Sequence, residues 1–109
     1  MLRTTIFSAL AMTMIALATP ANAQQSAASK GYMDAMSKMQ ADMPKDHNSD
    51  LDVGFAQMMI PHHQGAIDMA KVELQYGKDP MLRAMAEKMI KDQEKEIADL
   101  EKWLKGKGK

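Results

Sequence analysis

The chain has 109 residues, no cysteine, and 14 basic against 14 acidic side chains. That length supports one small domain, and the missing cysteines exclude a disulfide framework. Without disulfides, stability has to come from helix packing, bound metal or self-association, and nothing in the balanced charge favours nucleic acid or an anionic membrane surface.

Residues 1–23 begin with Arg3, run apolar over residues 6–18 and finish on Ala21-Asn22-Ala23. This is the three-part layout of a secretory signal peptide, and the apolar run is shorter than the roughly 20 residues that a membrane-spanning helix needs. Cleavage after residue 23 would leave 86 residues with one net negative charge. It would place the protein in the periplasm or outside the cell, with no membrane insertion after cleavage.

The next unit is residues 24–48, expected as a disordered lead over 24–29, a methionine-rich helix over about 29–43, and a linker. The helix should stop before Pro44, and "PKDHNSD" is made of turn formers. Residues 49–105 then read as a helical hairpin. Ser49-x-x-Asp52 resembles a capping box and opens a helix over about 50–76 that ends on Gly77, expected as a left-handed cap. Asp79-Pro80 restarts the chain as a third helix, which runs to about Leu104 on an apolar stripe that includes Leu82, Ala86, Met89, Ile90 and Ile97. Its other face is charged, with helix-spaced pairs such as Glu87–Lys91. The last three lysines alternate with glycine as a frayed tail. The fold expected is all-α, an antiparallel hairpin plus an N-terminal helix. A two-helix hairpin cannot enclose a core, so the first helix or a second subunit has to cover it.

The chemistry concentrates in "MMIPHHQGAIDMA", residues 58–70. Pro61 removes an N–H and crowds the Gln57 carbonyl, at a cost of about 3 kcal/mol in a helix interior. Gly65 adds about 1 kcal/mol relative to alanine. On a helical wheel Phe55, Met58, Ala66, Met69 and Glu73 cluster within about 40° of His62. His63 lies about 100° round the helix, in line with Asp52, Ala56, Met59 and Ala70. The two histidines therefore address neighbouring seams, unless the proline bends the helix and brings them to one ion. A purely structural account, with Pro61 curving the helix and the histidines capping freed backbone, explains the wheel equally well.

Ten methionines remain outside the leader. Met33, Met36, Met39 and Met43 fall at steps of three, three and four, with His47 four residues further on, and Met36, Met39 and Met43 share a stripe. Methionine as a flexible core filler accounts for any one of them, but a core built chiefly of methionine specifies packing poorly. Thioether and imidazole without thiolate is the ligand set of a soft monovalent metal, copper(I) or its mimic silver(I). Zinc would recruit Cys, His and carboxylate, and a di-iron bundle needs inward glutamates with Glu-x-x-His. Neither pattern is present. No nucleophile–base pair or phosphate loop suggests an enzyme, which leaves a metal redox activity as a minor option.

The runs "DVGFAQMMIPHHQGAIDMAK" and "YGKDPMLRAMAEKMIKDQEKEIADLEKWL" resemble the secreted domain-of-unknown-function family 305, over about residues 52–104. The resemblance implies a ferritin-like helical bundle and a periplasmic copper-resistance protein that binds copper(I). It implies Met59, His62 and His63 as metal ligands and Met69 as the motif's trailing methionine. The family commonly has methionine where this chain has Leu100, so a ligand there is not available. Many relatives carry two copies of the unit and this chain has one, so a homodimer is one way to complete a four-helix arrangement, though the sequence does not require it. The expectation is a non-enzymatic protein for copper sequestration, resistance or transfer. His62, His63 and Met59 would form its main site with Met58 or Met69, and Met36, Met39, Met43 and His47 an accessory one. Its partners would be the ion and a copper-exporting or copper-accepting envelope protein. Because imidazole must shed its proton to bind, occupancy of the histidine site should fall as pH drops through about 6.5. The alternative is a non-metal helical interaction module of the envelope, with methionines forming an adaptable surface.

Overall fold

Three α-helices carry almost all of residues 20–109, the part of the chain that the computed structural model describes. They are α1 (Ala21–Asp42), α2 (Leu51–Tyr76) and α3 (Pro80–Gly106). Residues 1–19 of the expected leader lie outside the described residues. Among the described residues no helix is long and apolar enough to cross a membrane.

The helix starts follow from short side chains that satisfy free amides. Asp50 accepts from the amides of Asp52 (3.0 Å) and Val53 (3.3 Å), so the cap of α2 is Asp50 and not the expected Ser49. Asp79 accepts from the Leu82 amide at 2.9 Å with Pro80 in the first turn, as the Asp-Pro pair suggested. α1 differs from expectation at its beginning. It is helical from Ala21, through the stretch expected to be disordered, because Ala, Gln and Ser contain no helix breaker and Ala28 gains cover from packing.

The turn between α2 and α3 spans only residues 77–79, which makes the two helices antiparallel. Gly77 closes α2 with φ −69° and ψ 152°, an extended conformation where a left-handed one was expected. Glycine is required there by space: a Cβ would lie 2.6 Å from the Glu73 carbonyl oxygen. The end of α2 is instead completed by Arg83, whose Nη1 donates to the carbonyls of Leu74 at 2.7 Å and Gly77 at 3.0 Å. On the charged face of α3 the ion pairs are Lys88–Asp92 and Lys95–Asp99, not Glu87–Lys91. At the C-terminus the amides of Lys107 and Lys109 both donate to Leu104 O, and Lys107 Nζ stands 5.2 Å from the Trp103 ring centre. The tail is therefore capped and not frayed.

α2 is the centre of the molecule. It packs against both α1 and α3, while α1 and α3 make no contact with each other. The interface with α1 is close because glycines face large side chains in both directions. A Cβ on Gly31 of α1 would meet Val72 Cγ2 at 2.9 Å, and one on Gly65 of α2 would meet Met39 Sδ at 2.7 Å. The interface with α3 holds Val53, Ala56 and Leu104, with Ile60 and Leu100 packed beside them. The buried core is small and alanine-rich: Ala35, Ala56, Ala70 and Ala86 accompany Val53, Ile67, Val72 and Leu104. The third face of α2 is covered by neither helix.

A candidate metal centre on α2

Helix α2 runs unbroken through Pro61, which is buried and borders a groove with Gln57, Ile60 and Gln64 on the side away from His62. The two histidines follow directly and part company. His62 is exposed on the uncovered face, and His63 turns into the seam with α3, where its side chain is only 13% exposed. The divergence of about 100° expected from the wheel is seen, but only His63 enters a seam; His62 faces no neighbouring helix.

In the seam, His63 Nε2 lies 2.5 Å from Glu96 Oε2. A carboxylate can only accept, so Nε2 carries the proton. In the neutral ring the lone pair is then on Nδ1, which is buried and has no hydrogen-bond partner. A carboxylate that orients a histidine and fixes its tautomer is the usual support of a metal-ligating imidazole. The sequence reading did not single out Glu96, although the hairpin contains the signal for it. His63 stands 15 residues before Lys78 and Glu96 18 residues after it, which sets them opposite each other once the turn is placed at 77–79.

The imidazole centroids of His62 and His63 are 6.2 Å apart with planes tilted by 60°. With N–metal bonds of about 2.0–2.1 Å, two imidazoles on one ion hold their centroids at most about 6.4 Å apart. The observed separation falls inside that limit. Met59, half-buried, occupies the shoulder between the two ring directions one turn earlier, and helical side chains lean toward the N-terminus. Ala66 takes the same shoulder one turn later and leaves space. Met58 and Met69 are half-buried on the far side of His62.

The first-helix stripe is less convergent. Met39 lies against α2 at Gly65, Met36 is 50% exposed and Met33 68% exposed. Met43 and His47 do not share a helical face. The helix ends at Asp42, Met43 is extended with ψ 139°, and His47 is exposed in the connection. The i, i+4 relation expected for that pair needs a helix that Pro44 does not allow. Among the described residues no three of the His, Asp and Glu side chains group together as a metal site, so any centre here depends on thioether donors.

Fold and site together define an all-α protein with a helical hairpin, an N-terminal helix packed on it, and a histidine pair after a mid-helix proline. Residues 7–104 match the model of a family described as a domain of unknown function, DUF305. The chain belongs to the DUF305 family. No curated protein matches it.

Proposed function

We propose that this protein binds copper(I) through His63 Nδ1, His62 and Met59, and sequesters the ion or passes it on in the periplasm. The observation that carries the reading is the unpartnered, buried Nδ1 of His63 on a ring whose opposite nitrogen is held by Glu96. Left as it is, a buried acceptor without a partner costs about 1–3 kcal/mol; a soft cation would offset that cost. A thioether carries no proton and prefers soft metals, so one Met beside two imidazoles favours copper(I) over zinc. The fold implied by the family resemblance, a ferritin-like bundle, is compatible with such a site between helices.

Titration of copper(I) against a competing chelator tests the proposal. The expected outcome is a site that weakens by at least tenfold in Met59→Leu and disappears when His62→Ala and His63→Ala are combined. Unchanged affinity and stoichiometry in the double variant refutes it. The exposed Phe55 and Met85 favour a second reading, a non-metal interaction module of the envelope, which requires that copper(I) and silver(I) leave the thermal midpoint unchanged.

A further inference from the structure

The face of α2 that neither neighbour covers carries Leu51 (85% exposed), Phe55 (56%), Met58, His62, Ala66 and Met69. Both flanking helices extend it. Tyr32 of α1 borders the same groove as Glu73 of α2, and Trp103 of α3 borders the same groove as Phe55. Along those two shoulders, at about 100° per residue, follow Met36 on α1 and Leu82, Met85 and Met89 on α3. Eight of the ten exposed large hydrophobic side chains among the described residues lie on this one side. The two ion pairs of α1 stand away from it, whereas on α3 Asp92 and Glu96 lie within about 20° of Trp103 and border it.

We infer that this face is covered by a second copy of the chain, paired about a two-fold axis that passes close to His62. The area fits. Large side chains of about 150–250 Å² each, exposed to roughly half, give on the order of 600–800 Å² from each copy. That is the size of a standard interface, about 800 Å² per partner, and exceeds the apolar patch of roughly 300–600 Å² that monomers tolerate. The chemistry fits as well. The patch along α2 has only His62 and Glu73 as polar groups, so the two α2 helices meet without opposing charges; the charged neighbours Asp92, Glu96 and Lys107 lie on the α3 shoulder. Half of the buried core residues of the single chain are alanine, and pairing would bury large side chains that this core does not.

The position of His62 sets the register. It is within two residues of the midpoint of α2, so an axis through the centre of the face sets the two α2 helices antiparallel and pairs each residue with the one equally far on the other side of His62. Met58 of the partner subunit then arrives over Ala66, beside the seam shared by His62 and His63. On its own helix Met58 points about 140° away from His63, so the pairing gives it access to a site that its own backbone denies it. This shared ligand rests on the copper(I) reading; the pairing of the faces does not.

Two measurements decide the matter. Without metal, sedimentation equilibrium of the protein is expected to give twice the chain mass, and Phe55→Lys or Met85→Lys, both at exposed positions, to return it to a monomer with unchanged helical circular dichroism. The chain has no cysteine, so His62→Cys and, on the outer face of α1, Ser37→Cys are clean probes. A thiol cross-linker spanning about one helix-packing distance, roughly 10 Å, should join His62→Cys chains in high yield and Ser37→Cys chains only at background. A metal-free monomer at all concentrations, an open-ended series of higher masses, or equal cross-linking at both positions overturns the pairing. For the shared ligand, copper(I) affinity is expected to fall several-fold in Phe55→Lys and in Met58→Leu. A dimer whose copper(I) affinity ignores both variants retains the pairing and overturns the shared thioether, while a dimer that binds no copper(I) overturns the metal reading alone.

Discussion

Gly65→Ala isolates the packing of α1 on α2 in a single methyl group. In an isolated helix the change would stabilise by about 1 kcal/mol, the propensity difference between the two residues. Here the new Cβ would lie 2.7 Å from Met39 Sδ and 3.0 Å from both Met39 Cβ and Cγ. The sulfur can swing away; the Met39 Cβ moves only if α1 moves with it. Overpacking of this kind costs about 1–3 kcal/mol, so the net effect should be a loss of up to about 2 kcal/mol. Met39→Ala removes the sulfur and Cγ, two of the three obstructing atoms, and in that background Gly65→Ala should turn stabilising by several tenths of a kcal/mol or more. Urea unfolding of the wild type, both single variants and the double variant reads the coupling directly. A stabilising Gly65→Ala in the wild type, or a coupling near zero, would refute the argument that Gly65 exists to admit Met39.

Glu96→Gln keeps an oxygen that can accept from His63 Nε2 and should retain most copper(I) binding, whereas Glu96→Leu leaves the ring unoriented and should weaken it by about 10–100-fold; equal affinities would remove Glu96 from the site. Arg83→Met deprives the Leu74 and Gly77 carbonyls of their donor and should destabilise by about 1–2 kcal/mol, measured as a lower urea midpoint at unchanged m-value. Lys95 is held above the ordinary lysine value of 10.5 by its hydrogen bond to Asp99 and then by that carboxylate's charge. A raised folded-state value means its contribution is whole below 10.5 and fades as pH rises beyond it. Because the pair is fully solvated, Lys95→Met should lower the midpoint only slightly at pH 7, and that difference should close as pH rises past 10.5.

Local chemistry in the sequence determined the helices and their order. Asp79-Pro80 is a start that works by itself, because the carboxylate accepts a free amide and the proline lacks one. The short link at 77–79 forces α2 and α3 antiparallel whatever else they touch. The divergence of the histidine pair was equally legible, since adjacent residues on a helix point about 100° apart. Tertiary structure decided the rest. Which of the two histidines is buried depends on where α3 crosses, and only that crossing brings Glu96 to His63 Nε2 and leaves Nδ1 without a partner. The extent of α1 rested on packing as well as composition, because Ala28 and Gly31 gain cover only when α2 is present. Met43 and His47 looked like helical neighbours by count, but their spacing has that meaning only inside a helix, and Pro44 ends it first. The uncovered face also emerges only in three dimensions. Each helix alone has an ordinary apolar stripe, but with α1 and α3 both on α2 and apart from each other, one side of all three is left without a neighbour.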